Sequence, residues 1–195
     1  MIEKNNGNMI SQNPRSPFKL FSESEVAVLL RNTKNLKHRC ILTLVYATGI
    51  RATELTQLKL ADVDVKQSLL LIKGAKGKKT RMVIVVPRAM YLIRQYFLKY
   101  QPRKYMFENP DGEKYSVASF QQVFKRAVER GKLDKNITLN SLRVSLIANL
   151  KHRGTGIRHI GELIKFEHFV TEPDIRKQYL DKLNRSLGNF ELWKT

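Results

Sequence analysis

The sequence predicts an α+β fold, mostly helical, with a small three-stranded antiparallel sheet. Three observations point there. From Phe21 onward, apolar residues recur every three or four positions in most segments, the helical period. One stretch, residues 64–86, changes to two β-rich runs around a turn of Gly and Lys. Most prolines and glycines fall between these segments or at their ends.

Residues 1–17 are polar and read as a disordered lead-in. Residues 18–187 form one folded domain, and 188–195 a short tail; a chain of 195 residues can bury one substantial core. Ser22 with Glu25 three positions later is a capping box, followed by Val26, Leu29 and Leu30 on one helix face. A second helix spans Asn35 to Ala47. Thr48-Gly49 breaks it, and a third helix is expected from Arg51, carrying Leu55, Leu58 and Leu60. Ser68–Ile72 and Arg81–Val86 form the hairpin, which Pro87 ends. Arg88–Lys99 is an amphipathic helix, 101–115 a loop, Ser116–Gly131 a helix, and Thr138–Lys151 another. Gly154-Thr155-Gly156 breaks that one; short and long helices follow over 157–164 and 175–187. No internal repeat is present.

Charge narrows the partner. Thirty-six Lys and Arg oppose seventeen Asp and Glu, a formal net charge of +19. A field of that sign attracts polyanions. No run approaches a membrane-spanning length, and the N-terminus has no signal-peptide apolar core, so an anionic membrane is the weaker partner and nucleic acid the stronger. The single Cys40 lies in an apolar helical run as a buried thiol, which excludes a disulfide framework and fits a cytoplasmic setting.

Four side chains could carry chemistry together. Arg51 stands at a helix start with Glu54 one turn on, close enough to orient its guanidinium; a surface ion pair is the plain alternative. Lys76 sits in the hairpin turn among Lys73, Lys78 and Lys79, where a basic solvated turn is the alternative. Arg143 lies among apolar helix residues, and Tyr179 follows near the end. Two arginines and a lysine around one phosphate would neutralise its oxygens and the added charge of a pentacoordinate state. A phenol could attack the phosphorus and hold it covalently. Asn140 could cap its helix. His38, His152 and His159 show no pairing pattern and are expected to face solvent.

The segments TGIRATELTQLKLADVD, IKGAKGKKTRMVIV, TLNSLRVSLIANL and RKQYLDKLNRSL, in that order, resemble the catalytic domain of tyrosine recombinases, the phage-integrase and Xer-like family. The resemblance covers about Phe18 to Leu187, nearly the whole folded part. It implies that Arg51 and Arg143 clamp a scissile DNA phosphate, with Glu54 supporting Arg51. Lys76 protonates the departing 5′-hydroxyl, and Tyr179 is the nucleophile of a 3′-phosphotyrosyl link. Lys73, Lys78, Lys79 and Arg81 would bind DNA around the hairpin. The family needs no metal or other cofactor.

Two departures stand out. Where the family has His-x-x-Arg-His, this chain has Asn140 and Val144 flanking the Arg143 motif. The first of those histidines is the family's general-base partner for the tyrosine; an amide can hydrogen-bond a phosphate oxygen but cannot take the tyrosine's proton near neutral pH. An insertion at 167–174 places Tyr179, rather than Ile175, at the nucleophile position and makes His168 the third-box histidine. The resemblance further implies double-stranded DNA as partner, a homo-tetramer on DNA during strand exchange, and the absence here of the family's N-terminal clamp domain. The alternatives are a catalytically impaired remnant serving as a DNA-binding module and, from composition alone, a general RNA-binding protein.

Overall fold

The computed structural model describes residues 19–74, 80–134 and 136–152. Its centre is a helix buried on every side. Helix α1 (Glu23–Arg31) leads into α2 (Leu36–Thr48), in which Cys40 through Thr48 are all buried. A helix apolar all round belongs inside a protein rather than on its surface. Around α2 pack α4 (Pro87–Tyr100), α5 (Val117–Arg130) and α6 (Leu139–His152), with α1 against α2 and α5. No described helix is long and apolar enough to cross a membrane.

Local chemistry sets the helix ends. Ser22 accepts from Glu25 N–H while the Glu25 carboxylate accepts from Ser22 N–H, at 3.3 and 2.8 Å, so two otherwise orphaned donors are satisfied. Asn35 caps α2 through His38 N–H. Thr138 and Ser141 do the same reciprocally for α6, so the cap is Thr138; Asn140, a candidate for that role from sequence, lies inside the first turn.

The sheet is antiparallel in the order β1 (Val63–Asp64), β2 (Leu69–Ile72), β3 (Arg81–Ile84), with Ile72 opposite Arg81 and Leu70 opposite Val83. Three-stranded geometry was the expectation, and it holds.

The third helix is shorter than its apolar spacing suggests. Helix α3 is only Ala52–Leu55, followed by a 3₁₀ turn at Leu60–Asp62. The reason is competition for backbone. Leu58 C=O accepts from Met106 N–H at 2.8 Å, and Leu60 N–H donates to Lys104 C=O at 3.2 Å. The 101–115 loop thus takes the groups that a longer helix would have used.

That loop is itself built on one carboxylate. Glu108, buried, accepts from the N–H groups of Arg103, Lys104 and Tyr105. Burial alone would push this carboxyl up, but the three N–H donors outweigh it and hold the carboxyl below its ordinary value. Lys37 closes the loop from α2, donating to Glu108 C=O at 2.7 Å with its ammonium over the rings of Tyr100 and Tyr115. A depressed carboxyl stabilises the fold above its unfolded-state pKa, and that contribution is lost as pH falls through the folded value. Glu108→Gln is therefore expected to lower stability at neutral pH and to flatten the decline on acidification below about pH 4. Urea unfolding of both proteins between neutral pH and pH 3 measures it; parallel curves would contradict it.

His38, expected in solvent, is half-buried. Burial, aided by the charges of Lys37, Arg126 and Arg130, holds its imidazole below the ordinary value.

Candidate active site

The site begins where α2 stops. Thr48 Oγ1 donates to Leu44 C=O at 2.7 Å, and Gly49 takes a left-handed conformation, φ 62°, with its N–H on Val45 C=O. Glycine adopts that conformation without a Cβ penalty. The chain therefore reverses within two residues, Ile50 is buried, and Arg51 emerges at the N-cap of α3.

Glu54, one turn on, has a side chain only 4% exposed. One oxygen accepts from Arg51 N–H at 2.8 Å. Both oxygens then face Arg81, the first residue of β3, whose Nη1 and Nη2 donate at 2.7 and 2.9 Å. The Arg51 guanidinium approaches less closely, 3.7 Å, and its side chain remains 49% exposed. Burial would raise the Glu54 carboxyl, but its bonds to Arg81 and to Arg51 N–H and the two nearby charges hold it below the ordinary value. Glu54 is thus tied first to Arg81 and more loosely to Arg51.

Helix α6 brings Arg143 to the same place. Its Nε donates to Asn140 Oδ1 at 3.0 Å, one turn earlier. Its Cγ lies 3.9 Å from where a Cβ on Gly49 would stand, so the arginine stem runs alongside the α2 reversal. Burial and the positive charges of Arg51 and Arg81 lower the Arg143 guanidinium's pKa, and the Glu54 carboxylate partly offsets them. Arg51 and Arg81 flank the Glu54 carboxylate and Arg143 lies within electrostatic range of all three, leaving a surplus of two positive charges. Arg51, Asn140 and Arg143 open together onto a cavity of about 520 Å³ floored by Ile50, Phe124, Val128 and Leu139. Such an arrangement can hold a phosphate-sized anion between planar, permanently charged forks.

Lys73 makes an ion pair of its own and stays half-exposed. Its ammonium lies 2.7 Å from Asp62 Oδ1, a carboxylate buried in the 3₁₀ turn that also accepts from Lys59 N–H. Lys73 and Arg81, next to the hairpin turn, thereby tie β2 and β3 to the α3 and 3₁₀ segment. Lys76, Lys78 and Lys79 in its turn, and His168 and Tyr179, lie outside the described residues. Among the described residues no group of His, Cys, Asp and Glu gathers to hold a metal ion.

Sequence reasoning missed the Glu54–Arg81 pair. No alternation in β3 marks it, since Val83 and Ile84, on opposite faces, are both buried.

Comparison with known proteins agrees with this architecture. The tyrosine recombinase XerA of Pyrococcus horikoshii is 28% identical over 184 residues, covering 93% of this chain and 65% of its own length. A crystal structure of XerA recombinase superposes with a TM-score of 0.70 at 21% identity, over 91% of this chain and 65% of that one. The XerH site-specific recombinase bound to a palindromic difH substrate superposes with a TM-score of 0.64 at 19% identity, over 89% of this chain and 50% of that one. The chain thus spans less than two thirds of the length of each of these proteins. The model of the phage integrase family matches residues 19–172. With that match across most of its length, and with the fold and motif order described above, this chain belongs to the phage integrase family.

Proposed function

We propose that this protein performs site-specific DNA strand exchange by tyrosine-mediated transesterification. The observation that carries the reading is the meeting of Arg51 and Arg143, one from the α2–α3 reversal and one from α6, at an open site with surplus positive charge. In the proposed reaction both guanidiniums bind the nonbridging oxygens of a DNA phosphodiester. The Tyr179 oxygen attacks phosphorus as its proton passes to water, a tyrosyl–phosphorus bond forms, and the bond to the 5′-oxygen breaks. Lys76 gives that oxygen a proton, releasing a 5′-hydroxyl and a 3′-phosphotyrosyl end. Attack by a second 5′-hydroxyl reverses the step on a new partner, so the diester bond energy is conserved and no nucleotide cofactor is consumed.

Asn140 supports this assignment as an orienting group. Its carbonyl oxygen holds Arg143 Nε and its amide has no proton-accepting capacity near neutral pH, so in this protein it acts on the arginine and on phosphate, not as a base. The resemblance leaves His168, as the third-box histidine, the other candidate for proton transfer. Double-stranded DNA is the proposed partner, in keeping with the net charge of +19 and with the DNA-bound relative XerH. A homo-tetramer on DNA and a cytoplasmic setting, in keeping with the free, buried Cys40, complete the proposal.

The test is a duplex library of random sequence, nicked at a fixed position so that the cleaved end diffuses away and the covalent product accumulates. Denaturing gels should show a protein–DNA adduct that Tyr179→Phe abolishes while leaving DNA retention in place. DNA retention without any adduct would assign the chain to the binding-module alternative. An adduct surviving in Tyr179→Phe would overturn the assignment of the nucleophile.

A further inference from the structure

Arg81 is placed by sequence among the DNA-contacting cations, yet its fork is already occupied. Both terminal nitrogens donate to Glu54, and its side chain is only 16% exposed. A bidentate arginine–carboxylate pair at these distances uses the donor geometry that phosphate would otherwise require. Arg51 shows the reverse: it faces the same carboxylate from 3.7 Å and is 49% exposed.

This asymmetry has a cause in the register. Arg81 reaches Glu54 from β3, 27 positions along the chain, whereas Arg51 and Glu54 lie three residues apart on one turn. A buried carboxylate must keep a charged or hydrogen-bonding partner. If Arg81 were absent, the nearest cation would be Arg51 Nη1, which needs only side-chain rotation to close from 3.7 Å. A closed Arg51–Glu54 pair would spend the arginine's charge and its donors within the protein.

We propose that Arg81 is a positioning residue: by engaging both oxygens of Glu54 it keeps that carboxylate off Arg51 and leaves the Arg51 guanidinium free to bind an anion. The inference rests on the phosphate-binding reading of the Arg51–Arg143 site and extends it to a residue in the sheet. Lysine cannot replace it fully, because a single ammonium does not span two carboxylate oxygens in one plane.

The experiment titrates the full chain with sodium sulfate and follows the Arg51 side-chain Nε–H resonance by NMR, assigned by its loss in Arg51→Lys. In the unaltered protein the resonance should move with sulfate. In Arg81→Met it should start displaced, and the apparent sulfate affinity at Arg51 should fall about tenfold. Arg81→Lys should fall between. The decisive variant is Arg81→Met with Glu54→Gln, which removes the carboxylate charge and should restore the sulfate response to within about threefold of the unaltered protein. A merely structural Arg81 would instead leave the double variant no better than Arg81→Met, and an unchanged titration in Arg81→Met would also overturn the proposal. If Arg81→Met does not fold, Arg81→Lys with and without Glu54→Gln supplies the same comparison. Sulfate binding requires no strand cleavage, so failure of the adduct assay would overturn the strand-exchange reading and leave this inference standing.

Discussion

Arg143→Ala is expected to slow covalent adduct formation by about 10²–10³-fold, the usual loss when one preorganised charge facing a reacting centre is removed. Stability should not fall with it. The guanidinium is half-buried beside Arg51 and Arg81, both of which oppose its charge, and its one described hydrogen bond is to the exposed Asn140. Removing it relieves repulsion, so the thermal midpoint should stay level or rise, the pattern of a residue kept for activity at some cost in stability. Arg143→Lys should recover charge but not the two-pronged grip, and so only part of the rate. Single-turnover cleavage of nicked duplex, run beside thermal unfolding, measures both quantities. A parallel loss of midpoint and rate would make Arg143 a folding residue.

Phe120→Ala is expected to cost about 3–5 kcal/mol, the range for emptying a fully buried aromatic site. Phe120 has no exposed surface, meets Phe107 edge-on at 6.1 Å and 80°, and lies 5.6 Å from Tyr115. It thus joins α5 to the Glu108 loop, and the chain beside it cannot collapse freely because Glu108 fixes three successive N–H groups. Equilibrium urea unfolding would show the midpoint move without a change in slope; a cost below about 1 kcal/mol would mean that the loop relaxes into the vacated space.

The elements that were legible in the sequence are those whose cause is local. The Ser22–Glu25 box, the break at Gly49 and the hairpin ended by Pro87 each depend on residues within a few positions, and each stands where the pattern placed it. Helix α3 was overextended because Leu55 and Leu58, both buried, mimic a continuous stripe; the loop that takes their turn's backbone groups lies more than forty residues downstream at Lys104 and Met106. The same limit hid the Glu54–Arg81 pair. Spacing tied Glu54 to Arg51 three residues away, and only the sheet brings a partner across 27 positions. The proximity of Arg51 and Arg143, by contrast, was legible only through motif order, since no periodicity links residues 51 and 143.

On another side of α6, the extended segment entering α1 is riveted down. Phe21 N–H donates to Ser145 Oγ, and Phe21 C=O accepts from Asn149 Nδ2, so both main-chain groups of one residue grip the helix that bears Arg143. Tension arriving along the chain at Lys19 would therefore be borne by the arginine's own helix, within two turns of Arg143, before it reached α1.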